Sequence, residues 1–308
     1  MSGAGGIAAP EPRLFDPTAP LTASGNLRRR GVVDVLVRIL ATLAAAIGVA
    51  MLGLVVYSVV SKGAPVISLG FFIHNPVGLV GGGIANYLIG TVEIVAIGTV
   101  FALPVGVLTG LYLTEFAGSG SRSGRVLKLG LDLMQGLPTI VVGLFIYGLI
   151  VLVLHKESGF AAAVALAIVM LPLIARSSQE VLLLVPASLR EAADALGVSR
   201  WRTVLTVILP AASGGIATGA ILAIARGAGE TAPVFICDLL FNPQATSLNP
   251  FGGVPSVPVY ILNIADTAVP QAFAHAWGAA FVLLVVILLA NVLARVLLAR
   301  SRAKMGAA

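Results

Sequence analysis

The sequence predicts an all-α integral membrane protein with six transmembrane helices, and three observations carry that reading. Of 308 residues, 58% are apolar and only 10% charged, whereas a soluble domain is about a quarter charged. Six charge-free runs, at 39–61, 94–114, 133–154, 158–175, 203–225 and 276–294, approach or exceed the roughly 20 residues needed to cross a hydrocarbon core. The basic residues are also sorted by side. Of the 19 Lys and Arg residues, 16 fall in the segments that six crossings place on the N-terminal side; only Lys62 and Lys156 lie opposite, and Arg226 lies inside a span. Cytoplasmic flanks retain positive charge, so both termini of this multi-pass membrane protein are expected in the cytoplasm.

Flanking residues extend these runs to spans at about 36–61, 84–115, 128–154, 158–176, 204–233 and 272–297. Residues 1–30 are rich in Pro, Gly and Ser without an apolar core, and are expected to form a flexible cytoplasmic tail, leaving 31–308 as the transmembrane domain. The segment 234–271 is the longest outer connection; it holds five prolines and no Lys or Arg, which predicts an ordered cap of turns or a short re-entrant piece. Gly106-x-x-x-Gly110 and Gly215-x-x-x-Gly219 lie on spans, where small residues let helices approach closely. Pro104, Pro138 and Pro172 fall within spans as kinks and hinge candidates. Asp132 fits a helix-end cap or a contact at the inner mouth.

The cytoplasmic loop 177–203 contains Pro186-ASLREAADALGVSRWRTVLTVI-Leu209-Pro210. Pro186 suits a first helical turn and Gly197 a C-terminal cap. Between them Leu189, Ala193 and Leu196 follow at i, i+4 and i+7, a narrow apolar stripe flanked by Arg190, Glu191 and Asp194. The stripe lacks the Trp and Phe anchors of a helix lying on lipid, which favours a docking surface for a partner protein.

Arg226 and Glu230 are four residues apart, on one face if the helix continues. Measured along an ideal helix from Pro210, Arg226 lies about 24 Å deep, in the outer half, and Glu93 lies at similar depth, about 33 Å from Glu115. Arg226 is therefore expected to pair with Glu93, Glu230 or both. Two readings remain: a permanent ion pair that holds helices in register, or a guanidinium that is released to a passing oxyanion whose geometry its planar fork matches.

Glu191-Ala192-Ala193, Gly197 and Leu209-Pro210 at this spacing resemble the EAA loop of ABC importer permeases. The resemblance implies a type I importer permease fold of the MetI-like kind. It also implies that Leu189, Glu191, Ala192, Ala193, Leu196 and Gly197 dock on a dimer of ATP-binding subunits, which carries the ATP and Mg. Pro104-VGVLTGLYLTE-Phe116, Gln135-GLPTIVVGL-Phe145, Arg226-GAGETAPVF-Ile236 and Ala276-Trp277-Gly278 resemble more narrowly the A-type permeases of phosphate-specific ABC transporters. That likeness implies phosphate as cargo, a second homologous permease and an external phosphate-binding protein. It assigns roles in passage to Arg226 and Glu230, while Glu93 joins the pathway through its depth alone. Sulfate, molybdate or phosphonate is the alternative cargo.

Other classes are disfavoured by the residues. The net charge of +6 has no basic face with aromatic neighbours of the kind nucleic acid needs. No Gly-Lys pair occurs, so there is no P-loop, and no His-Glu-x-x-His suggests an intramembrane enzyme. Cys237, the single cysteine, permits no disulfide within the chain; no metal site and no cofactor of the chain's own are expected. An ATP-independent channel or carrier would suit the Arg and Glu pattern but leaves the EAA-like loop unexplained.

Overall fold

Helix α1 (Leu27–Gly63) opens the computed structural model, which describes residues 27–78, 81–118, 120–239, 248–267 and 269–306. The part of α1 up to Val56 forms a unit of its own, and residues 57–308 form a second. The tail expected over 1–30 lies outside the described residues up to 26, and 27–30 are already helical. Lacking an interior proline and a polar stripe, α1 is apolar on every side through its middle, as suits a helix solvated by lipid. A turn at Ala64–Val66 and the short α2 (Leu69–Ile73) follow, with Ser68 accepting from the Phe71 N–H at its N-terminus.

Among the described residues, five helical stretches are long and apolar enough to cross a membrane: Arg29–Val66, Ala85–Phe116, Gly159–Leu183, Arg200–Ala228 and Pro270–Leu297. The sixth crossing is not one straight span. Helix α4 (Arg122–Gly136) and the helical run Thr139–Leu154 meet at 101°, so the continuous span expected over 128–154 is broken at Leu137–Pro138. Proline has no N–H to continue the helix and disfavours helical geometry at its predecessor; here Leu137 is extended, at φ −71° and ψ 133°. Beyond the break come α5 (Thr139–Ile146), a π turn at Tyr147–Val151 and α6 (Leu152–Leu154). Of the three hinge candidates only Pro138 sits at a break; Pro104 and Pro172 lie inside continuous helices.

The core is organised around α7 (Gly159–Leu183), on which α3 (Ala85–Leu111), α10 (Leu209–Ala228), α5 and α11 (Ala232–Cys237) all pack. Ala161, Ala162, Ala163, Ala165 and Leu166 on α7 are fully buried. Such small side chains, unable to contribute large apolar area, let neighbouring backbones come close and gain dispersion contacts instead. Gly106 and Gly110 of α3 do the same: a Cβ would stand 2.7 Å from Ile174 and 2.9 Å from the Ala175 carbonyl. Gly215 and Gly219 of α10 press on Val181 and Ser177 at 2.4 and 2.3 Å by that measure. Helix α7 also runs seven residues past the limit expected at 176, so the first part of the loop placed at 177–203 is helical.

The fifth span ends at Ala228 rather than near 233, capped by Gly229, and α11 starts afresh after the turn. The connection expected over 234–271 contains α12 (Val257–Ala265) and precedes α13 (Pro270–Gly306); 240–247 lie outside the described residues. Its described part is firmly held. The carbonyls of Pro250 and Gly252 accept from the Phe160 and Gly159 N–H groups at 2.7 and 2.9 Å, which satisfies the first turn of α7. Asp238 accepts from the Val254 N–H at 2.8 Å, and Thr91 from the Val257 N–H at 2.8 Å. Cys237 is fully buried beside Gly143; burial pushes its thiol up to about 12, with Asp238 and Glu157 adding to the effect. A neutral buried thiol is a poor nucleophile, so maleimide at neutral pH is expected to leave Cys237 unlabelled in the folded protein and to label it after denaturation.

Candidate functional site

Helix α8 (Ala187–Ala195) projects between α7 and α10, starting at Pro186 and ending at Leu196. Gly197 follows with φ +68°, a left-handed conformation in which a side chain is strained. Its N–H reaches the Asp194 carbonyl at 3.0 Å, and the Val198 N–H reaches Ala193 at 3.0 Å. The boundaries drawn from Pro186 and Gly197 agree with these caps. The apolar stripe does not remain one surface, however. Ala193 is 7% exposed and faces its own chain, whereas Leu189 is 39% and Leu196 81% exposed. Leu196 has left helical geometry as the cap residue, which turns it away from Ala193. Glu191 and Ala192 are exposed with the leucines, leaving Ala193 as the residue that seats the helix.

Arg190, one turn before Ala193, points the same way. Its Nη2 donates to Glu115 Oε1 at 2.7 Å, and Nε donates to both carboxylate oxygens at 3.1 and 3.3 Å. Nη1 donates to the Val185 carbonyl at 2.8 Å and Nη2 also to that of Leu182 at 3.0 Å. Glu115 is 2% exposed, at the end of α3 in a π turn over Tyr112–Phe116. Another π turn, Val204–Ile208, links α9 (Arg200–Thr203) to α10, so two of these wide turns flank the α8 region. Sequence reasoning put Glu115 and Arg190 at the same end of the bundle without joining them. At the same end Arg176 of α7 pairs with Asp132 of α4, which gives Asp132 an interhelical role.

At the far end of α10, Arg226 Nε lies 3.7 Å from Glu230 Oε1. The pair survives although Glu230 stands beyond the helix, because the Gly227–Gly229 turn folds back: the Gly229 and Glu230 N–H groups donate to Arg226 and Gly227 at 3.1 and 3.0 Å. Gly227 and Gly229 carry the signal for that ending, which the span expected over 204–233 passed over. The Arg226 side chain is 65% exposed and that of Glu230 17%. Glu230 also lines a narrow cleft with Thr91, Ser256 and Pro258. Glu93 does not join the pair: among the described residues it makes no ion pair, and its Oε2 is buried without a hydrogen-bond partner. Depth along two helices fixed neither their rotation nor their separation, and the three-member cluster reduces to Arg226 and Glu230.

A bundle of helices long and apolar enough to cross a membrane, with the short α8 at one end, defines a polytopic membrane protein. Residues 102–303 match the binding-protein-dependent transport system inner membrane components. The chain is 37% identical over 250 residues to the phosphate transport system permease protein PstA of Haemophilus influenzae, covering 81% of this chain and 88% of that one. Over 284 residues it is 35% identical to the PstA of Xylella fastidiosa, covering 91% and 98%. In fold it resembles the MetNI methionine ABC transporter, with a TM-score of 0.53 at 20% identity over 70% of this chain and 92% of that one. The chain thus belongs to the inner-membrane permeases of binding-protein-dependent ABC importers and, within them, to the PstA permease family.

Proposed function

We propose that the chain is one permease subunit of an ATP-driven phosphate importer, with Arg226 and Glu230 on the phosphate path and α8 as the docking helix for the motor. The observation that carries the cargo reading is the exposed guanidinium of Arg226 near the end of a membrane-crossing helix. A charge there is costly unless it faces a hydrated path or a partner. With, among the described residues, one long contact to Glu230, most of its donors are available to a tetrahedral oxyanion, and the fork can take two oxygens at once. Glu230 reduces the attraction, so that the anion is held weakly enough to leave.

The remaining assignments follow the basic-residue asymmetry and the family. Both termini and α8 face the cytoplasm. A dimer of ATP-binding subunits, carrying ATP and Mg, receives the exposed face of α8 through Leu189, Glu191, Ala192 and Leu196, while Ala193 and Gly197 set that helix in place. A second homologous permease completes the pathway, and an external binding protein delivers phosphate. The test is phosphate uptake into proteoliposomes holding the complete assembly. Uptake is expected to require internal-side ATP, and Arg226→Lys is expected to lower it about tenfold by replacing a fork with a point charge. Unchanged uptake in Arg226→Lys removes the arginine from the path; uptake by the chain alone without ATP defeats the importer reading. Sulfate outcompeting phosphate at equal concentration in the assembly would transfer the cargo assignment to another oxyanion.

A further inference from the structure

We infer that the ion pair of half-buried Arg190 with the buried Glu115 carboxylate is the link through which motion of α8 reaches the α3–α7 helix pair, making both positioning residues for transport; this rests on the proposed ATP-driven function. Helix α8 is joined covalently to α7 through residues 184–186 and to α10 through α9. These connections alone would leave it free to pivot against α3. The Arg190 guanidinium adds the missing attachment. It binds the carboxylate at the end of α3 through Nε and Nη2, and the carbonyls of Leu182 and Val185 at the end of α7 through Nη1 and Nη2. One rigid planar group therefore ties three helix ends, with Glu115 and Arg190 75 positions apart in sequence.

The orientation of the pair matters as much as its strength. Arg190 and Ala193 lie on the side of α8 turned to the bundle, while Leu189 beside them and Leu196 past the helix end are exposed. A push on the exposed face is thus delivered directly onto the clamp. Beyond the clamp, α3 and α7 stay in close backbone approach along their length, at Gly98, Gly106 and Gly110, so the two respond as one body. The π turn that carries Glu115 places an extra residue in the last turn of α3, a local irregularity of a kind frequent at functional positions.

A purely stabilising pair behaves differently. An ion pair withdrawn from solvent can often be exchanged for apolar side chains of similar volume without loss of stability, but the exchange removes the directional fork. The experiment compares native assembly, Glu115→Gln, and the double variant Glu115→Met with Arg190→Met, measuring phosphate taken up per ATP hydrolysed in proteoliposomes. The double variant is expected to assemble and to hydrolyse ATP within about threefold of native, while uptake per ATP falls about tenfold or more. Glu115→Gln, which leaves Arg190 facing a neutral amide, is expected to lose uptake per ATP in the same direction. A native ratio in the double variant overturns the inference, as does a fall in hydrolysis and uptake in equal proportion. The native assembly separates this from the larger question: if it takes up phosphate without ATP, the importer reading fails first.

Discussion

Gly90→Val is expected to prevent accumulation of folded protein. Gly90 is buried in the second turn of α3, and a Cβ there would stand 2.0 Å from the Pro255 carbonyl oxygen and 2.9 Å from Val254 Cγ1. The nearest obstacle is backbone, and that backbone cannot retreat. The Asp238 carboxylate holds Val254 at 2.8 Å and the Thr91 hydroxyl holds Val257 at 2.8 Å, while the carbonyls of Pro250 and Gly252 cap α7. Accommodating a side chain therefore means parting α3 from the cap or stripping the cap from α7. Either costs about 3 kcal/mol or more, a large share of the stability of a typical domain. Size-exclusion profiles and thermal midpoints in detergent measure the effect. Gly130→Ala is the control, since a Cβ at Gly130 meets nothing within 4 Å, and alanine favours a helix over glycine by about 1 kcal/mol. A Gly90→Val protein that melts within about 5 °C of native contradicts the close approach.

The second large effect is expected from Ala193→Glu, which should abolish uptake while leaving the chain folded. Ala193 is 7% exposed, on the inward side of α8 one turn from Arg190. A glutamate there must either bury its charge or lift the helix from its seat, and unpaired burial is the costlier course. It also competes with Glu115 for the Arg190 guanidinium. Displacement of α8 removes Leu189 and Leu196 from the positions proposed for motor docking. Because α8 touches only the ends of α3 and α7, while their glycine-mediated contact continues at Gly98 and Gly106, the spans should still assemble. Uptake is expected to fall about a hundredfold or more, with an unaltered size-exclusion profile of the isolated chain. Uptake within threefold of native, or about that, would mean that the inward seating of Ala193 has no part in the reaction.

Much of the site's location was readable before any coordinates. Pro186 and Gly197 delimit α8 because proline fixes a first-turn dihedral and glycine admits the left-handed cap, and both constraints act within a few residues. Arg226 announced itself as the one basic residue inside a span. What misled was depth. Arg226 and Glu93 lie at similar heights on ideal helices, yet among the described residues Arg226 pairs with Glu230, because the Gly227–Gly229 turn folds the chain back, while Glu93 Oε2 is buried without a partner. Equal spacing likewise gave Leu189, Ala193 and Leu196 one face, which the helix cap at Leu196 and the seating of Ala193 divide.

The sequence by itself determined the solvent, the five straight stretches of crossing length among the described residues and the two bounds of α8, since a bilayer's thickness sets the length of an apolar run and caps depend on local dihedral preference. The charge-free run over 133–154 shows where that logic stops: composition measures length but not direction, and only the packed chain places a 101° bend at Leu137–Pro138. The tertiary structure also decided which charges meet. Glu115 and Arg190 are 75 positions apart, and no periodicity reaches that far; they join because α3 and α7 lie in backbone contact through glycine and alanine, bringing the end of one beside the loop that follows the other.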